Sequence, residues 1–291
     1  MSVLRVEDLA KKYGKKTALN GITCEFTTGI NAFLGPNGAG KTTIMNCISG
    51  VIPKSDGTVT YDGRDVFKMG EEYRRRMSYQ FQYQPFYPSY TAHDFLEFFA
   101  LLKGMPKEGI DSEIKRVLEQ VNLSDSINDK IRSFSGGMKQ RLAIAQTIMG
   151  SPEILIFDEP SAGLDPFERE QFKRIMMGLK DKSIIIISTH IVSDIDTICD
   201  RLVVLNKGSV VADDKPKVLC ERIRGLIWNI PKDELEMIPI KRVYFEDTNA
   251  KTISNEKPTP NSYPAEPTMN DLYFCGQLQK DIFAPKDGVS E

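Results

Sequence analysis

Two short stretches of this chain carry residue types spaced for chemistry on a phosphate. The first is Gly35-Pro36-Asn37-Gly38-Ala39-Gly40-Lys41-Thr42, which fits the pattern GxxxxGK[ST]. Glycines, having no Cβ, let successive backbone N–H groups turn inward around one anion. Lys41 adds a full positive charge for β- and γ-phosphates, Thr42 a hydroxyl for Mg²⁺, and Thr43 a donor for an α-phosphate. The second stretch is Ile154-Leu155-Ile156-Phe157-Asp158-Glu159, four apolar residues ending in two carboxylates. Asp158 is suited to hold Mg²⁺ through its water shell, and Glu159 to orient and polarise an attacking water. Taken alone, such an acid pair reads first as a solvated strand end. A phosphate loop in the same chain makes that plain reading the lesser one.

The elements that must carry these groups follow from the surrounding pattern. Residues Gly29 to Leu34 read as a strand running into the glycine loop, and Thr42 to Ser49 as the helix it opens. A helix N-terminus there adds partial positive charge at the anion. The apolar runs 154–157 and 184–187 read as strands buried on both faces, as in a parallel sheet flanked by helices. Such a sheet delivers ligand groups to the C-terminal edge of its strands. Adjacent strand residues face opposite ways, so Asp158 and Glu159 are expected to take different jobs. Residues 1–30 alternate around Leu4, Val6, Leu9, Ile22, Cys24 and Phe26, the pattern of short antiparallel strands. Further strands are expected at 59–61, 77–81, 202–205 and 210–211, the last two around the turn Asn206-Lys207-Gly208. Helices are expected after a Thr91/Asp94 capping box, over 111–121, from Ser135, and over 166–179. Beyond Leu219 a few short strands are expected, near 228–230 and 243–245. Residues 249–267, with four prolines, read as a loop, and Thr268 and Asp271 cap a last short helix.

Composition narrows the class. The chain has 291 residues, 41% hydrophobic and 27% charged, with a net charge of −2. That is ordinary for a globular protein and argues against nucleic acid as the main partner. No apolar run reaches the length of a membrane span, and the first residues lack the apolar core of a signal peptide. A cytoplasmic protein is expected, without a direct membrane span. The five cysteines form no CxxC pair, which predicts neither a disulfide framework nor a zinc site. Cys47, four residues past Thr43 on the same helix face, is expected to be buried and inert.

Ser135-Gly136-Gly137-Met138-Lys139-Gln140-Arg141, ahead of the acidic strand, resembles the signature motif of ATP-binding cassette ATPases. Pro160 to Asp165, after Glu159, resembles that family's D-loop, and His190 in Ile187-Ser188-Thr189-His190 its switch histidine. Tyr13 stands where the family stacks an aromatic on adenine, and Gln82 where it has the Q-loop glutamine. Phe134 replaces the usual Leu, and the proline usually found before the Q-loop glutamine is missing; Gln80 and Gln84 flank the candidate. The segment 267–273 resembles the tail of bacterial cassettes that work with a separately encoded permease, often in drug, bacteriocin or ion export.

The resemblance covers about residues 3 to 215. It implies an α/β fold of the P-loop NTPase type: a parallel-sheet core, an N-terminal antiparallel β subdomain and an inserted helical subdomain, about 83–150, bearing the signature. A nucleotide-binding domain would span 1–220 and a small extension 221–291. It further implies that ATP and Mg²⁺ are the cofactors. ATP would be bound by Tyr13, the loop from Gly35 to Thr43 and, in a facing copy, Ser135, Gly136 and Gly137; Mg²⁺ by Thr42, Gln82 and Asp158. Lys41, Gln82, Glu159 and His190 would carry the hydrolysis. Two cassettes, identical or related, would close head to tail on ATP, peripheral to the inner face of the cell membrane through a permease. Phe86, Tyr87 and Tyr90, in the loop after Gln82, would line the permease's docking groove. The alternative is a soluble cassette ATPase acting on ribosomes or DNA. Ribosome-acting members usually carry two cassettes per chain, and DNA-repair members a long coiled coil between the two halves; this sequence shows neither.

Overall fold

The computed structural model of the protein describes residues 2–246 and 249–278. The chain begins with two long strands, β1 (Val3–Tyr13) and β2 (Lys16–Thr27), rather than several short ones. Register shifts between Val6 and Lys12 interrupt their pairing, which is why the apolar alternation breaks where the strand does not. After β3 (Gly29–Leu34) and the glycine loop comes α1 (Lys41–Ile48). Next follow β4 (Asp56–Tyr61), the two-residue β5 (Arg64–Asp65), the short α2 (Val66–Met69) and α3 (Glu71–Arg76), and β6 (Met77–Gln80). Strands β2, β1, β4 and β5 form an antiparallel sheet in that order.

A helical stretch follows: α4 (Ala92–Leu102), α5 (Lys107–Gln120) and α6 (Gly136–Ile148). The Thr91/Asp94 box caps α4 in both directions, at 3.0 Å each way. The chain then returns to the centre through β7 (Ile154–Asp158), α7 (Pro166–Leu179), β8 (Ile184–Thr189), β9 (Arg201–Asn206) and β10 (Ser209–Asp214). The central sheet runs β10-β9-β3-β8-β7-β6, parallel except at the β10/β9 edge.

The β-branched runs explain how this sheet is held. In β7 and β8 alternate residues enter two separate apolar cores. Leu155, Phe157, Ile185 and Ile187 face the core that includes residues of α4 to α7; Ile154, Ile156, Ile184 and Ile186 face the one shared with α1, β1 and β2. Every residue of β3, β7 and β8 is buried. Burying a side chain of this size contributes about 1.5–3 kcal/mol, so this double-sided burial dominates the fold's cohesion.

The remaining residues are α8 (Pro216–Arg222), β11 (Ile227–Ile230), β12 (Val243–Glu246), β13 (Asn249–Ile253), β14 (Tyr263–Pro264) and α9 (Met269–Leu278). The expectation of a loop over 249–267 is corrected here. Strand β13 lies between β12 and β11, with β14 on the far edge. Prolines cluster only after 257, and Ala250, Lys251, Thr252 and Ile253 are all buried. Lysine and threonine there give no apolar pattern to read, because Lys251 is buried as the ion-pair partner of Glu246 and Asp271. Helix α9 packs on β9, and Asn206 donates its side-chain amide to the Gly276 carbonyl at 2.7 Å.

Candidate active site

The phosphate loop connects β3 to α1, as the sequence context requires. Gly35 passes so close to β9 that a Cβ would stand 2.3 Å from the Leu205 carbonyl oxygen. Gly40 caps α1 with φ at 109°, a conformation that favours glycine. The Ala39 carbonyl accepts the Gly208 N–H at 2.9 Å, and the Gly208 carbonyl accepts the Asn20 N–H at 2.8 Å. These bonds fasten the β9/β10 turn and the β2 strand to the loop. A pocket of about 650 Å³ opens over this assembly.

The pocket brings together Tyr13, Pro36, Asn37, Gly38, Gly40, Lys41, Thr42, Thr43, Gln82 and Glu159. Gly35 and Ala39 hold the loop's shape from outside the lining. The structure also separates the three glutamines: Gln80 is buried on β6, Gln84 is half-buried away from the pocket, and Gln82 reaches it. Tyr13, at the end of β1, is 50% exposed, with Lys11 Nζ 5.0 Å from the ring centroid. Lys16, Thr17, Ala18 and Lys207 also line the pocket, and sequence reading missed them. The Asn206-Lys207-Gly208 turn was legible, but only the tertiary bonds through Ala39 and Asn20 bring it to the phosphate loop.

Lys41 and Glu159, both in the pocket lining, form a buried ion pair; His190 meets that pair from outside the lining. Lys41 Nζ donates to the Gly35 carbonyl at 2.7 Å and stands 3.2 Å from Glu159 Oε1. His190 Nδ1 lies 2.9 Å from Glu159 Oε2. Lys41 and Glu159 are under 10% exposed; His190 is open to solvent. Asp158 is turned elsewhere, its Oδ1 accepting the Ser188 hydroxyl at 2.6 Å. The two acids do diverge, but strand alternation is not the reason. Strand β7 ends at Asp158, and Glu159 takes φ = 49°, a strained value for a residue with a side chain. Its N–H donates to Ser188 Oγ at 3.0 Å and to the Ser188 carbonyl at 3.2 Å. Such a conformation costs about 1–3 kcal/mol and persists only where neighbours impose it. Here it aims the carboxylate at Lys41.

Ser135, Gly136 and Gly137 do not join this pocket. Ser135 caps α6, its hydroxyl accepting the Met138 N–H at 3.1 Å, and Ser135 and Gly136 are exposed. The first backbone N–H groups of α6 have no partner within the helix, and such an end attracts anions; none of these three residues lines the phosphate pocket. Cys47 is fully buried in α1, and burial pushes its thiol up to about 11. A bulky maleimide should therefore leave Cys47 unmodified in the native protein, with or without ATP; fast labelling read by mass spectrometry would contradict its burial.

The hydroxyls of Thr42 and Thr43 and the amide of Gln82 line a loop built for phosphate, beside the Glu159 carboxylate; Asp158, held by Ser188, lies outside that lining. The comparisons with known proteins agree. Residues 19–162 match the family model described as ABC transporter. The chain is 35% identical over 225 residues to the linearmycin resistance ATP-binding protein LnrL of Bacillus subtilis (strain 168), covering 77% of this chain and 72% of that one. It is 32% identical over 213 residues to the lantibiotic transport ATP-binding protein SrtF of Streptococcus pyogenes, covering 72% and 90%. The solved structure of cbiO1 from Clostridium perfringens, part of the ABC transporter complex cbiONQ, superposes with a TM-score of 0.68 at 29% identity over 74% of this chain and 89% of that one. A phosphate loop, an acidic strand end and a signature helix in one α/β frame thus have a family to go with them: this chain belongs to the ATP-binding subunits of ABC transporters.

Proposed function

We propose that this chain hydrolyses ATP to power an export-type transporter, acting as a dimer beneath a membrane permease. The observation that carries this reading is the sharing of Lys41 and His190 by one carboxylate, Glu159, which lines the phosphate pocket. A triphosphate entering the loop competes with Glu159 for Lys41. When Lys41 turns to the phosphates, Glu159 Oε1 loses its cation while Oε2 keeps His190. The freed oxygen is then the one placed to orient water. Substrate binding and arming of the base are in this way a single exchange of partners.

Thr42, Gln82 and Asp158 would hold Mg²⁺; their hard oxygen donors suit it better than a softer metal. Bound there, the ion would neutralise charge on the β- and γ-phosphates. Tyr13 is placed for stacking on adenine, worth about 1–3 kcal/mol by analogy with base–aromatic stacks. The signature residues Ser135, Gly136 and Gly137 lie outside their own chain's pocket, so their donors serve a facing copy or a related cassette. ATP would then bind the closed pair better than the separate subunits and shift the population toward closure.

No helix among the described residues is long and apolar enough to cross a membrane, so attachment falls to a permease. Tyr83, Tyr87 and Tyr90 are exposed after Gln82 and suit that contact. Phe86 does not: it is partly buried, its ring 5.4 Å from Phe95. Two relatives are named for linearmycin resistance and lantibiotic transport, which favours an antibiotic-like cargo moved outward. Residues 221–291 are read as an appended module. The test is phosphate release by the purified protein with ATP. Turnover should depend on Mg²⁺ and stop on chelation; a sample with no affinity for ATP would end this reading.

A further inference from the structure

We infer that Asp194 is a positioning residue for the hydrolysis proposed above, fastening the loop after Glu159 to the strand end before His190. Asp194 sits in the short turn Val192–Asp194, is 1% exposed, and does not line the nucleotide pocket. Its Oδ2 accepts the hydroxyl of Ser161, two residues past Glu159. The same oxygen lies 3.5 Å from the hydroxyl of Thr189, the residue just before His190. Ser161 and Thr189 are themselves buried. The Thr189 hydroxyl is shared with the Ile191 carbonyl at 3.3 Å, so one carboxylate bonds the segment after Glu159 and stands against the one before His190, the two acid–imidazole partners lying 2.9 Å apart.

A carboxylate is a costly occupant for a site buried this deeply unless its partners need it. Its other oxygen, Oδ1, accepts no hydrogen bond among the described residues and has only the Arg169 guanidinium, 3.5 Å away. Arg169 in turn donates to the Leu164 carbonyl at 3.2 Å, so it touches the same loop. The arrangement grips 161–164 at two points, with one further bond left to make if the loop tightens. Beside it, Glu159 holds a strained backbone that something must enforce. Ser188 holds the Glu159 N–H directly, and Asp194 braces the loop that follows without lining the nucleotide pocket.

The experiment compares the full-length protein with Asp194→Asn, Ser161→Ala and the double variant, measuring kcat, KM and equilibrium binding of ATP. Asp194→Asn keeps an acceptor oxygen but loses the charge that strengthens the bond, and Ser161→Ala removes the donor; either should lower kcat by about 10- to 100-fold. ATP affinity should stay within about threefold, because no pocket contact changes. The double variant should be no slower than the slower single one, since both break the same tie. A merely structural role would move affinity and thermal midpoint together with kcat, and that result overturns the inference. So do unchanged kcat in both single variants, or losses that multiply. If Asp194→Asn does not fold, Ser161→Ala alone carries the test, because it removes one oxygen and leaves the carboxylate with Arg169. A parent protein that hydrolyses normally while the variants do too defeats only Asp194; a parent that never hydrolyses ATP defeats the functional reading as well.

Discussion

Replacing Glu159 by Gln is expected to slow ATP turnover about 10²–10⁴-fold, or roughly 3–5 kcal/mol on the barrier, while leaving ATP bound. The amide keeps the size of the carboxylate but cannot take a proton from water. It also removes the negative partner that Lys41 has at 3.2 Å. Lys41 then meets the triphosphate without first giving up an ion pair, so affinity should hold or increase. A subunit that binds but does not cleave should accumulate in the closed pair, visible as an ATP-dependent dimer in sedimentation. The measurement is single-turnover hydrolysis beside sedimentation with and without ATP. Ordinary turnover in this variant would take Glu159 out of its role. Weakened ATP binding would mean instead that the Lys41–Glu159 pair shapes the loop for its substrate.

What the sequence disclosed and what it hid divide along a physical line. The phosphate loop, both acids and the β-branched strands were legible because their chemistry is local: a glycine pattern, a charge at a strand end, a buried run. Helix α7 is found over Pro166–Leu179, as its starting proline and apolar spacing predict. Glu159's left-handed backbone was not legible, since nothing in Phe-Asp-Glu-Pro announces a φ of 49°. That turn, imposed by bonds from Ser188, does the aiming that strand alternation had been expected to do. Lys207 reaches the pocket only through the long-range bonds of its turn to Ala39 and Asn20, and Asp194 stands out only once Ser161 and Thr189 surround it. Strand β13 was hidden for another reason. Its buried lysine is matched by Glu246 on the adjoining strand and by Asp271 in α9, and a pattern of hydrophobicity cannot show an ion pair.

That ion pair leads to the second large effect. Asp271→Ala is expected to destabilise the packing of β12, β13 and α9 by about 3–5 kcal/mol, the cost of stripping one partner from a buried pair. Asp271 is fully buried, with Lys251 Nζ at 3.3 Å from its Oδ2 and the Tyr244 hydroxyl at 2.7 Å from its Oδ1. It also accepts the Thr268 N–H at 2.7 Å, closing the cap of α9 as the sequence predicted. Burial alone would pull the Lys251 ammonium down, but Glu246 and Asp271 outweigh it and hold it above its usual range. Burial, then the Asp271 charge, push the Tyr244 phenol well above its own. Removing Asp271 therefore leaves a cation, a phenol and a helix cap short of a partner at once. Hydrogen exchange is the direct measure: amides of β13 and α9 should lose protection by about 10²–10³-fold, while those of α1 keep theirs. Adding Lys251→Met should recover little of the loss, because Lys251 still pairs with Glu246 and its removal strips that acid of its cation. Protection lost equally along the whole chain would mean that these elements and the nucleotide-binding core open as one unit. Protection unchanged in β13 and α9 would show that this network is not what holds the helix in place.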